Sequence, residues 1–131
     1  MLVEYLTGSS GSGEIVREYF AGLGADEKIH LNLYTISEVY YILCRIKGSK
    51  FASEKLETLF TSKAVSIHPS SLELALKIGQ MKCERALSIT DCATLAQAES
   101  LKFPVAFVRE KELEKEISKK PFDVEVLLLL D

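Results

Sequence analysis

The chain has 131 residues, 47% of them hydrophobic and 27% charged, which is enough to bury one core and too little for two ordinary domains, so a single domain over residues 1–131 is expected. A formal net charge of −3 argues against the broad basic face that holds nucleic acid non-specifically, although a local basic patch is compatible with it. No apolar run is long enough for a membrane span, and "MLVEYLTGSS" lacks the basic start and cleavage site of a signal peptide, so a cytoplasmic location is expected.

In chain order, "MLVEYL" is apolar but too short to classify, and "TGSSGSG" reads as a flexible polar linker. It is not a phosphate-binding loop, since no Lys follows the glycines as the GxxxxGK[ST] pattern requires. From Glu14 to Leu23, Ile15, Val16, Tyr19, Phe20 and Leu23 recur at helical spacing, and the helix is expected to end near Gly24. "KIHLNLY" predicts a short strand from Ile29 to Leu33. A helix then runs through Lys47 to Gly48, with Ile36, Val39, Tyr40, Leu43 and Ile46 toward the core. "FASEKLETLF" predicts another amphipathic helix, and "AVSIHP" a brief strand closed by Pro69. Leu72 to Cys83 is helical, with Leu72, Ala75, Leu76 and Gly79 on one side. "TDCATLAQAESL" is a helix of small and apolar residues. "FPVAFV" is a strand, because Pro104 can begin one but not sit inside it. "EKELEKEISKK" is a charged helix, and "DVEVLLLL" a last strand whose apolar run predicts burial on both faces.

Helices alternating with short β-branched runs predict an α/β protein with three α/β/α layers around a short parallel sheet, because parallel strands need crossovers and crossovers are usually helices. In such sheets ligands bind at the carboxyl ends of the strands, where the turns from strand to helix gather. Three of these junctions carry acids. Glu38 stands in "TISE", where Thr35 and Glu38 have the spacing of a capping box; Asp91 stands in "SITD" with Ser88 at the same spacing; Glu110 follows the strand Val105 to Val108, with Glu112 two residues on. Capping and the helix dipole account for any one acid at about 0.5–1 kcal/mol. Three converging on one rim would repel by more than capping returns, and a hard divalent cation is the natural compensation.

The remaining candidates point to packing. Cys44, Cys83 and Cys92 have no CxxC spacing, which supports neither a disulfide framework nor a thiolate zinc site, and each reads as a small buried hydrophobe. His30 and His68 lie in strand-like runs and read as packed or solvated. Tyr34, Tyr40 and Tyr41 are not interleaved with basic residues as a stacking platform requires, and read as core or dimer contacts.

Together "LYTISEVYYILCRIKG", "LKIGQMKCERALSITDCATLAQAESLKFPVAFVREKEL" and "VEYLTGS" resemble a PIN domain, the small metal-dependent nuclease fold of the VapC toxins of prokaryotic toxin and antitoxin pairs. The resemblance implies a parallel sheet of four or five strands, an acidic site holding Mg²⁺ or Mn²⁺, and endonucleolytic cleavage of RNA. By position, Glu38 matches the family's second acid, Asp91 the third and Glu110 the fourth. "FVRE" departs from the family's more usual Asp after Thr-Gly, and Glu112 shares or substitutes for that role as a metal ligand. Thr90 would orient a water or carboxylate, and Arg45 and Arg109, with Lys82 and Arg85, would contact phosphates. Met1 falls just after the position of the family's first Asp, so the first acid and the central first strand are expected to be missing, with weak metal affinity as the consequence. The implied partners are RNA, an antitoxin protein and a second copy in a homodimer, with no membrane. The alternative is a non-catalytic PIN-like interaction module.

Overall fold

Parallel strands joined through helices organise each of two compact units, Met1–His68 and Pro69–Asp131. The computed structural model describes Leu2, Leu6, residues 12–24 and residues 26–129; of the linker expected over "TGSSGSG", residues 7–11 lie outside them, and Ser12 and Gly13 are not linker but the start of the first helix. The α/β class and the parallel pairing hold. Among the described residues the strands number four, as the resemblance implies, and they pair two and two, one parallel pair in each unit.

The first unit begins with α1 (Ser12–Ala21), which buries Val16. Strand β1 (Ile29–Asn32) passes without a loop into α2 (Leu33–Lys47), and α3 (Ser49–Phe60) follows after a single residue, Gly48. That corner has φ 89° and ψ 172°, a region open essentially to glycine. Strand β2 (Val65–His68) then pairs parallel to β1, in register from Ile29 opposite Val65 to Asn32 opposite His68. The core is made by Leu31 of β1, Val39 and Leu43 of α2, and Ala52, Leu56 and Leu59 of α3, with Leu2. The i, i+4 and i, i+3 steps put these side chains on facing stripes of the two helices.

In the second unit, α4 (Leu72–Glu84) is capped by Ser71, whose Oγ accepts the Leu74 N–H at 3.1 Å. Next comes α5 (Ile89–Leu101), with Cys92, Ala93, Leu95, Ala96, Gln97 and Ala98 all buried. Its small side chains let α4 approach closely. Strand β3 (Val105–Val108), α6 (Lys111–Lys119) and β4 (Val126–Leu129) complete the unit, with Val105 opposite Val126 and Val108 opposite Leu129 in parallel register. No helix among the described residues is long and apolar enough to cross a membrane.

Several expectations about side chains are corrected. On α2, Tyr40 and Ile46 are exposed, because the core stripe centres on Val39 and Leu43. On α4, Leu72 and Leu76 are 77% and 67% exposed while Ile78 and Met81 are buried, so the buried stripe lies on another face of the helix. Cys92 is buried, but Cys44 is half-buried and Cys83 exposed. Strand β4 is half-buried throughout instead of covered on both faces. The two histidines, one from each strand of the first sheet, meet each other: His30 Nδ1 and His68 Nε2 lie 2.7 Å apart, one ring donating to the other.

Leu43 is fully buried, so Leu43→Ala is expected to lower unfolding stability by about 3 kcal/mol in urea titration, since the transfer and cavity terms add. Burial, followed by the charges of His68 and Lys28, holds the His30 imidazole below its usual pKa. The unfolded chain therefore takes up that proton at higher pH than the folded chain. Stability should be retained above the ordinary imidazole pKa of about 6.5 and decline as pH falls below it. Melting curves at about pH 7.5 and about pH 5.5 measure the decline, which His30→Phe should reduce; an unchanged decline would remove the histidine pair as its cause.

Candidate active site

The acid on α2 sits where its cap residue puts it. Asn32 ends β1, is buried, and accepts the Thr35 N–H on Oδ1 at 2.9 Å. The helix therefore starts at Leu33, and Thr35 is its third residue instead of its cap. Asn is among the strongest N-cap residues, and here it stands at the strand's last position, so the strand hands over directly to the helix. Glu38 falls in the second turn, outside a capping box, and α2 has no acid in its first turn. Capping thus gives no account of Glu38, which is half-buried.

Asp91 is held as the sequence implies. Ser88 caps α5, its Oγ accepting the Asp91 N–H at 3.1 Å, which puts Asp91 at the third helical position and half-buried. The turn that delivers it is secured from inside the unit: Lys82 Nζ donates to the Leu87 carbonyl at 2.6 Å, and Arg85 donates to the Glu116 carbonyl at 2.8 Å with its guanidinium 4.0 Å from the Phe122 ring centre. Lys82 and Arg85, expected as phosphate contacts, each give a hydrogen bond to this turn. Thr90 is half-buried beside Asp91, and its carbonyl accepts the Thr94 hydroxyl.

Glu110 is the N-cap residue of α6, exposed, with no side-chain capping bond; Glu112 is exposed in the helix's first turn. Arg109 Nε donates to Glu114 Oε1 at 2.7 Å. Arg45 is exposed, with its guanidinium 4.9 Å from the centre of the Tyr41 ring. The expectation that the tyrosines lack basic neighbours fails here, because residues four apart in sequence share a face of a helix. Tyr41 was therefore missed as a functional candidate although the i, i+4 spacing to Arg45 is legible.

Glu116 was not singled out from the sequence. It is buried, pairs with Lys119 at 3.1 Å and lies 3.8 Å from the Arg85 guanidinium. The Lys119 hydrogen bond, helped by the Ala86 N–H, holds its carboxyl below the usual carboxylate range against the opposing effect of burial.

Glu38 thus belongs to the first unit, and Asp91, Glu110 and Glu112 to the second. The donor chemistry fits a hard divalent cation, which takes carboxylate oxygens and keeps waters. Among the described residues no group of three or more His, Cys, Asp or Glu side chains gathers as a metal site.

A family model described as "PIN domain" matches residues 1–120, across both units. Among solved structures, the chain is similar to Mycobacterium tuberculosis VapC20, a sarcin-ricin loop cleaving toxin, with TM-score 0.73 and 13% identity over 87% of this chain and 88% of that one. It is also similar to VapBC-1 from nontypeable Haemophilus influenzae, with TM-score 0.68 and 16% identity over 98% and 92%. No curated protein matches the chain.

The Ser88 cap sets the position of Asp91. Ser88→Ala is expected to cost about 1 kcal/mol in chemical unfolding, and Ser88→Asp to restore most of it.

Proposed function

Because the chain belongs to the PIN-domain family, we propose that it is a metal-dependent endoribonuclease of the VapC toxin type, a single PIN domain that hydrolyses RNA phosphodiesters in the cytoplasm. The observation that carries this is the family match over residues 1–120, joined to an Asp, Asp91, held in the first turn of the most deeply buried helix of its unit. In this reading Glu38, Asp91 and Glu110, with Glu112 sharing the last role, hold Mg²⁺ or Mn²⁺ through carboxylate oxygens. The bound ion would lower the pKa of a water and offset charge on the phosphate. The chain's own contribution is placement. Ser88 fixes the Asp91 backbone, Asn32 sets the turn of α2 on which Glu38 stands, and Thr90 orients the neighbouring carboxylate or water. The similarity to a VapBC structure supports an antitoxin as protein partner, and we take a homodimer as the resting assembly.

A second reading, a non-catalytic PIN scaffold, is favoured by one observation: among the described residues no three metal-ligating side chains gather. One assay separates the two. Incubated with structured RNA, the chain is expected to produce discrete fragments with Mn²⁺ and none with EDTA, and Asp91→Asn to lower the rate on the order of 100-fold. Equal rates remove Asp91 from the mechanism, and an inert parent chain in Mn²⁺ supports the scaffold.

A further inference from the structure

The chain has 2 histidines, and they meet. His30 stands on β1 and His68 ends β2, 38 residues apart in sequence. The parallel register sets His30 opposite Ser66 and His68 opposite Asn32, and residues two apart along a strand face the same side of the pleat. Both rings therefore rise from one side of the sheet. Their centres are 5.0 Å apart with the planes inclined at 41°, and His30 Nδ1 lies 2.7 Å from His68 Nε2.

Two neutral imidazoles in this geometry hold one proton between them, the donor carrying its N–H inward and the acceptor offering a lone pair. A cation is the other occupant the space fits. Zinc takes imidazole nitrogens at about 2.0–2.1 Å, which sets two of them on one ion about 3 Å apart, so the pair has to open by about half an ångström or less. The inward proton passes through solvent to the outer nitrogen of the same ring, that ring changes tautomer, and no net proton is lost. Both rings are half-buried, so an ion with its waters reaches them while the strands hold their spacing. Burial, then the charges of His68 and Lys28, keep the His30 ring uncharged at neutral pH, which is the form that ligates. Lys28 is exposed, and solvent screens its repulsion of a bound ion. Among the described residues no third His, Cys, Asp or Glu joins the two rings as a metal group, so water fills the remaining positions.

We infer that His30 and His68 form a two-histidine site for Zn²⁺ or a like first-row ion, held across β1 and β2. Imidazole suits Zn²⁺, Ni²⁺ and Cu²⁺, whereas Mg²⁺ and Mn²⁺ prefer carboxylate and water oxygens. The site thus selects a different class of ion from the acidic residues, draws on none of them and stands apart from the nuclease reading. An ion there ties together the two strands of the first unit's sheet, and β1 hands over through Asn32 directly to α2. Binding is in this way coupled to the stability of that unit.

The untagged chain is titrated with Zn²⁺ by calorimetry in excess Mg²⁺, which occupies oxygen sites. A saturable binding event is expected that His30→Gln and His68→Gln each weaken about tenfold or more, because each leaves a single imidazole. Cys83→Ser, at the exposed thiol, should leave it unchanged. Zn²⁺ should also raise the melting temperature of the parent and not that of the histidine variants. A further readout needs no variant to fold: in nuclear magnetic resonance of the unaltered chain the imidazole signals belong to these two residues alone, and Zn²⁺ is expected to shift both together. Imidazole signals that stay in place as Zn²⁺ is added overturn the site, as does Zn²⁺ binding of equal strength in both histidine variants. Binding that is lost in Cys83→Ser and kept in the histidine variants also overturns it and gives the ion to the thiol.

Discussion

The side-chain oxygen of Asn32 decides where α2 begins, and much of the first unit follows from that. A helix that starts at Leu33 puts Val39 and Leu43 against Leu31 and α3, turns Tyr41 and Arg45 outward, and sets Glu38 on the outward side of the second turn. A start two residues later at the same strand end would rotate each of these by about 200° and leave the core stripe facing water. Because Asn32 is buried as well as capping, loss of its amide would strand a backbone N–H without its partner in addition to loosening the turn. The junction is both a structural start point and the device that orients the candidate site.

The second unit uses a different device for the same end. Glu116 takes hydrogen bonds from Lys119 and the Ala86 N–H, while Arg85 reaches the Glu116 carbonyl and rests on Phe122. The turn between α4 and α5 is thereby tied to the last turns of α6. A buried charge of this kind returns little net stability, since its desolvation cost is of the same order as its attraction. What it supplies is a fixed geometry, and the fixed segment is the one that enters α5 through Ser88 and Asp91. The acids at the heads of α5 and α6 are therefore mounted on elements clamped to each other near the C-terminal end of α6.

Much of this organisation is legible in the residue pattern. The four strands and the helices between them fall within three residues of where alternation, helical spacing and the Gly and Pro stops put them, and Ser88 caps α5 as the SITD spacing implies. The misplacements share one cause: several stripes are apolar on more than one side. Leu72 and Leu76 obey helical spacing as well as Ile78 and Met81 do, and only tertiary packing decides which pair is covered. Thr35 fits a capping box on paper, but Asn32 stands earlier and wins. Arg45 and Tyr41 were legible as a pair only once the helical face was considered instead of sequence adjacency. Whether an acid at a strand end serves its helix or a ligand is a question of three-dimensional neighbours, which no local pattern encodes.

The Gly48 corner separates two kinds of freedom. Nothing crowds its α-carbon, so its requirement is one of backbone angle alone. The lysines on either side of it project into solvent and can be exchanged, moved or multiplied without disturbing a packed atom. Diversification of these two positions is in that sense cheap while the hairpin beneath them stays invariant, and a lineage descended from this chain could redecorate two helix ends around a single immutable pivot.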